Sequence, residues 1–155
     1  MKVWKVSLVL VLVVNLISSS FGAEGQRRAV ITELEGKVEV KVLEKKRKTL
    51  PAQIGMVLYE GDVLITKADS YAVLKLEGRE MATVEISEGS QLMLLELTEN
   101  KEKQTQNTLL DLAIGRILIK VEKLLTEESK FEVKTPTSIV GVRGTIFSVE
   151  VEAIE

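Results

Sequence analysis

The chain has 155 residues, of which 45% are apolar, 28% charged and 4% aromatic, with a net charge of −2; that is the size and balance of one globular domain rather than of a disordered segment. It contains no Cys and no His, which excludes disulfides, thiolate metal sites, cysteine nucleophiles and a lipidated cysteine anchor, and removes the commonest general base and transition-metal ligand. With so few aromatics, a core has to be built from Val, Leu and Ile.

Lys2 and Lys5 precede an apolar run from Val6 to Val14, followed by Ser18, Ser19 and Ser20. A basic end, a short apolar centre and small residues follow each other in a secretory signal helix. Ser20 and Gly22 form the small pair, so cleavage is expected after Gly22; cleavage after Ala23 would put Phe21 where a small residue is needed. The apolar run is about half of the roughly 20 residues that a membrane-spanning helix takes, and an uncleaved anchor is the second reading. The chain therefore divides into a signal peptide, 1–22, and one domain, 23–155, periplasmic or secreted and without a membrane span in its mature form. Removing 1–22 takes away Lys2 and Lys5 and no acid, moving the net charge from −2 to −4. That acidity argues against nucleic-acid binding, which needs a basic face.

The mature chain reads as many short strands. In GKVEVKVLE, Val38, Val40 and Val42 alternate with Lys37, Glu39 and Lys41, the pattern of an antiparallel strand with one wet face. LEKKRKTLP reads as a loop, with the basic cluster Lys45–Lys48 a solvated turn; an anionic glycan or lipid head group is its alternative partner. Two strand runs follow, broken by the turn formers Lys67–Ser70, with Ala72, Leu74 and Leu76 pointing one way. ATVEISEGSQLMLLEL repeats the device around Glu88, Gly89 and Ser90. Thr98 to Thr108 is polar throughout and reads as a long exposed loop.

TLLDLAIGRILIKVEKLL supports two readings. Leu110, Ala113, Ile114, Ile117, Leu118, Val121, Leu124 and Leu125 make a helical stripe. The same segment also reads as two strands around Gly115 and Arg116; Gly115 would weaken a helix by about 1 kcal/mol, and ILIKV favours strand. Turn signals at roughly ten-residue spacing point to an all-β domain of many short, mostly antiparallel strands, as a sandwich, a barrel or a short coil of strands.

TPTSIVGVRGTIFSVEV, Thr135 to Val151, closes the chain. Pro136 pushes Thr135 towards an extended conformation, so a strand starts after it. Gly141 and Gly144 mark a bend or corner. Phe147, Val149 and Val151 alternate with Ser148 and Glu150 in a last strand. Arg143 either extends into water from a turn or is buried and held by a carboxylate and carbonyl oxygens, a setting that suits its planar fork. Asp62, beside Gly61 at a strand start, is then the preferred partner, and breaking such a pair would cost about 3–5 kcal/mol.

Thr135-Pro136-Thr137, Val142-Arg143-Gly144-Thr145 and the phenylalanine-containing strand after them resemble the closing signature of the FecR domain, the extracytoplasmic module of regulators of iron-siderophore uptake. GMVLYEGDVLIT, Gly55 to Thr66, is similar to that family's central element, and Ser70–Leu74 and LEGKVEV fit its earlier strands. The resemblance covers about Ala29 to Val151. It implies an all-β fold, tips 109–125 towards two strands, and makes Gly61, Asp62, Arg143, Gly144 and Thr145 a structural motif with no catalytic role. Regulators of that family also carry a cytoplasmic part that handles a sigma factor, one membrane-spanning helix, and a segment that meets an outer-membrane receptor. This chain has a signal-like N-terminus and ends at Glu155, so the expectation is an isolated extracytoplasmic module.

Nucleophile-elbow, P-loop, dinucleotide and zinc patterns are absent from the sequence. The acidic residues fall at wet-face or turn positions, against the paired carboxylates of a glycosidase. The sequence thus predicts a protein that is not an enzyme and takes no metal or cofactor. Its expected role is a binding module that contacts an envelope protein in signalling or assembly, by edge pairing of a partner strand onto Ile146, Phe147, Ser148, Val149, Glu150 and Val151; the other reading of this strand places it inside the sheet. The alternatives are a cell-wall or glycan-binding domain and a self-associating structural protein. Glycan binding wants exposed aromatic platforms, and the mature chain offers Tyr59, Tyr71, Phe131 and Phe147.

Overall fold

The structure, a computed structural model, describes residues 24–46, 48–78, 81–122, 126–143 and 146–153. The signal segment 1–22, with both cleavage sites, lies outside the described residues. So do Gly144 and Thr145.

Every element among the described residues is a strand. In chain order they are β1 (Glu24–Gln26), β2 (Ala29–Glu35), β3 (Val38–Val42), β4 (Lys48–Pro51), β5 (Val57–Leu58), β6 (Val63–Thr66), β7 (Tyr71–Leu76), β8 (Ala82–Ile86), β9 (Gln91–Asn100), β10 (Thr105–Val121), β11 (Lys130–Lys134), β12 (Ile139–Gly141) and β13 (Ile146–Val151). All pairings are antiparallel except β10 with β11. The predicted all-β fold is what the chain adopts.

The strands form one curled sheet with two halves that face each other across the core. The first half runs β4, β3, β6, β9 and the start of β10, with β11 and β12 beyond it and β1 added to the end of β9. The second half runs β5, β2, β7, β8 and the end of β10, with β13 beyond. The β10 strand belongs to both. Before Gly115 it pairs with β9 and β11; from Gly115 onward it pairs with β8 and β13. The helical reading of this segment is wrong over its described part. Nor are there two strands around Gly115: Thr105–Val121 is one continuous strand that bends at Gly115 and so pairs in both halves of the sheet.

Alternation sets the packing. Ile31, Leu74, Leu76, Val84, Ile86, Ile117 and Ile119 from the second half meet Val40, Leu64, Leu92, Leu94, Leu110 and Leu112 from the first, all essentially without exposure. Burying each such side chain is worth about 1.5–3 kcal/mol, and the alternate residues of β3, β8 and β10 are left wetter.

Two expectations are corrected. Lys48–Pro51, read as loop, is strand β4, paired among the described residues to β3 on one side only; an edge strand tolerates both its exposed lysine and its proline. The polar stretch Thr98–Thr108, read as a long loop, is a hairpin whose turn is Lys101–Gln104. Gln106 and Thr108 are buried there.

Hydroxyl groups tie several of the crossings between the halves together. Ser70 Oγ accepts the Lys37 N–H at 2.8 Å and donates to the Ala68 carbonyl at 2.9 Å. Thr66 Oγ1 donates to the Ser87 carbonyl at 2.6 Å and accepts the Ser90 N–H at 2.9 Å. Ser90 Oγ accepts the Arg116 N–H at 3.0 Å. Ser70 and Ser90 each follow a residue with positive φ, Asp69 at 52° and Gly89 at 64°. The strand–turn–strand rhythm of the sequence is thus a set of corners joined by buried hydroxyls.

Candidate functional site

The Gly61–Asp62 motif builds a corner. Gly61 has φ 86°, a left-handed backbone that favours glycine, and a Cβ there would also make the tip of the exposed Leu43 side chain shift. Asp62 is buried. Its two carboxylate oxygens accept the Leu43 N–H at 2.8 Å and the Tyr59 N–H at 3.0 Å. Its own N–H donates to the Tyr59 carbonyl at 3.1 Å, and its carbonyl accepts from Leu94 at 3.1 Å. The carboxylate ties the end of β3 to the turn before β6.

Arg143 is not its partner. Asp62 spends both oxygens on backbone, while Arg143 is exposed and donates to the Glu127 carbonyl at 3.4 Å. The solvated reading of Arg143 is the one the structure adopts. Among the described residues the buried arginine is instead Arg27, 5% exposed. Its Nε donates to the Glu77 carbonyl at 2.9 Å, and its Nη1 to Thr108 Oγ1 at 2.8 Å and to the Asn107 carbonyl at 3.4 Å. No feature of the sequence around Arg27 marks it as buried, because it falls outside any apolar run.

Thr135 organises the turn before β12. Its N–H donates to the Ser138 carbonyl at 2.8 Å and its Oγ1 accepts the Ser138 N–H at 3.1 Å. Strand β12 then pairs, among the described residues, with β11 alone. Gly141 ends β12 with open space where a Cβ would stand.

Strand β13 pairs with β10 through Ile146↔Lys120, Phe147↔Ile119, Ser148↔Leu118, Val149↔Ile117, Glu150↔Arg116 and Val151↔Gly115. Among the described residues no strand covers its other edge. Phe147, Val149 and Val151 face inward; Phe147 meets Phe131 edge to face, with ring centroids 6.5 Å apart. Ile146, Ser148 and Glu150 face out. Glu150 accepts from Arg116 Nη2 at 2.7 Å, and that hydrogen bond, with the charge of the carboxylate, holds the guanidinium above its ordinary range. One strand further in, Lys120 pairs with Glu85.

Strand β11 covers β10 over Asn107–Asp111 and β13 covers it over Gly115–Lys120. Leu112, Ala113 and Ile114 lie between the two partners. Above them opens a groove of about 800 Å³, walled by Thr135 and Val140 on one side and Ser148 and Val151 on the other. Ile139 in β12 and Ile146 in β13 are each 62% exposed, and Val140, which lines the groove, is 39% exposed. The groove is bounded by two strand edges, β12 and β13, that carry unpaired backbone groups.

Phe131 is buried and Phe147 half-buried, while Tyr59 and Tyr71 are exposed. Among the described residues no group of three or more acidic side chains is placed to hold a metal ion, and no helix is long and apolar enough to cross a membrane.

A family model described as FecR protein matches residues 62–154, more than half of the chain. The match spans Asp62, Arg143 and all of β13. No curated protein and no solved structure matches the chain.

Proposed function

The chain belongs to the FecR protein family, and on that premise we propose that it is a non-enzymatic extracytoplasmic binding module that contacts a protein partner in envelope signalling or assembly. The observation that carries this reading is the open edge of β13, paired to β10 on one side and uncovered on the other among the described residues. Edge pairing draws affinity from main-chain hydrogen bonds and specificity from the alternate side chains. A partner strand beside β13 would set its own alternate residues against Ile146, Ser148 and Glu150 on the outer face, and against Phe147, Val149 and Val151 on the inner face. Glu150 and Glu152 restrain indiscriminate pairing, as charges do on exposed edges. The signal-like N-terminus supports delivery across the membrane.

The test is crosslinked affinity capture of the tagged full chain from intact source cells. The reading expects one dominant envelope protein, lost in the Ile146→Lys/Ser148→Lys variant with its melting temperature kept. Recovery of wall fragments, or of the same protein from the variant, would overturn it.

A further inference from the structure

The hairpin that joins β3 to β4 concentrates positive charge in an acidic chain. Lys45, Lys46, Arg47 and Lys48 are consecutive, with Glu44 the one acid beside them; the chain as a whole carries −2, so everything outside those four bases sums to −6. Lys45, Lys46 and Lys48 are exposed. Several lysines elsewhere are answered by carboxylates: Lys37 and Lys67 share Glu39, Lys120 meets Glu85 and Lys134 meets Asp111. Among the described residues no such pair engages Lys45, Lys46 or Lys48.

The same corner carries apolar surface. Leu43 and Tyr59 are 44% and 40% exposed. Asp62 holds them side by side, because its two carboxylate oxygens accept their N–H groups at 2.8 and 3.0 Å. Glu60, next to Tyr59, spends a carboxylate oxygen on the Leu97 N–H at 2.7 Å, towards β9. The Gly61–Asp62 motif thus sets a leucine and a tyrosine beside a run of cations.

That combination fits an anionic bilayer. Lysine is a compact point charge, suited to a diffuse anionic surface more than to bidentate recognition of one group. Tyrosine settles at head-group level, its ring among apolar chains and its hydroxyl in water. A bilayer offers phosphates to the lysines and an apolar boundary to Leu43 and Tyr59, whereas a sulfated glycan would answer the charges and leave Leu43 without a partner. We infer that the hairpin tip 43–48, together with Tyr59, docks on an anionic phospholipid surface. Two apolar side chains and a few cations give peripheral, reversible binding rather than insertion. The contact uses no residue of β13, so it stands or falls apart from the partner-strand reading.

The test is flotation with vesicles of phosphatidylglycerol and phosphatidylcholine in equal parts, against vesicles of phosphatidylcholine alone. The chain is purified from source cells in the form in which it occurs there, so that any segment before the domain is common to every variant. The unmodified chain should float with the anionic vesicles and be released from them by high salt. Each lysine near such a surface is worth about fivefold in binding, so Lys45→Glu/Lys46→Glu should weaken it by about 25-fold or more. Lys101→Glu/Lys103→Glu makes the same charge change at exposed lysines of the β9–β10 turn and should leave binding unchanged. Leu43→Ser/Tyr59→Ser should weaken binding several-fold with the melting temperature kept. Equal losses in the two lysine pairs would mean that net charge and not the tip is read, overturning the site. Full binding by Leu43→Ser/Tyr59→Ser would overturn the bilayer contact of the apolar pair. A chain that ignores the anionic vesicles but is retained on a sulfated glycan through Lys45 and Lys46 would overturn the lipid assignment.

Discussion

Ser90 Oγ accepts the backbone N–H of Arg116 at 3.0 Å, where β10 leaves one half of the sheet for the other. Gly115, just before, has φ 99°, and a Cβ there would run into Ser90. The bend that lets one strand serve β9 and β11 on one side and β8 and β13 on the other rests on this pair. Gly115→Ala combines a left-handed backbone penalty with overpacking, so it should lower stability by about 2–4 kcal/mol. Urea unfolding followed by circular dichroism checks it.

Asp62 accepts two backbone N–H groups with its carboxylate while buried. Asp62→Ala leaves both donors unsatisfied and is expected to cost about 2–4 kcal/mol. In the same unfolding assay a loss well under 1 kcal/mol would mean that water replaces the carboxylate.

Two arginines should behave oppositely. Arg27 is buried and donates to the Glu77 and Asn107 carbonyls and to Thr108, so Arg27→Ala should cost about 2–4 kcal/mol through lost packing and unsatisfied acceptors. Arg143 is exposed, and Arg143→Ala should fall within about 0.5 kcal/mol of the unmodified chain. Thermal melts of the two variants side by side decide the point.

The Arg116–Glu150 pair lies in solvent, with side chains 56% and 48% exposed. Exposed ion pairs contribute little to stability and are screened by salt. Arg116→Ala should leave the melting temperature unchanged at physiological ionic strength. A large drop would mean that the pair clamps β13 to β10.

Apolar alternation made β3, β7 and β8 legible in the sequence, and the turn formers at Lys67–Ser70 and Glu88–Ser90 marked two of the crossings. Where polar residues are buried and satisfied by hydrogen bonds, the same reasoning misled. The stretch from Thr105 looked like loop because Gln106 and Thr108 carry no apolar signal, yet the Gln106 N–H donates to Ser129 Oγ at 3.1 Å and Thr108 Oγ1 accepts from Arg27. Strand β4 escaped notice because an edge strand needs no apolar face. The glycine at 61 was legible as geometry. The partner of Asp62 was not, since a carboxylate that clasps backbone leaves no trace in the side-chain types around it. The strand Ile146–Val151 was legible through its alternation, but its open edge depends on which strands reach β10, and that is a property of topology.

The most direct test of the central claim, that the edge of β13 is the contact surface, is site-specific photocrosslinking in intact cells. A photoreactive phenylalanine analogue is placed in turn at Ile146, at Ser148 and, as a control, at exposed Lys75 on β7. Discrete adducts from positions 146 and 148 and none from 75 are the expected result. Adducts from 75 alone, or the same smear from all three, would contradict the assignment of β13 as the contact edge.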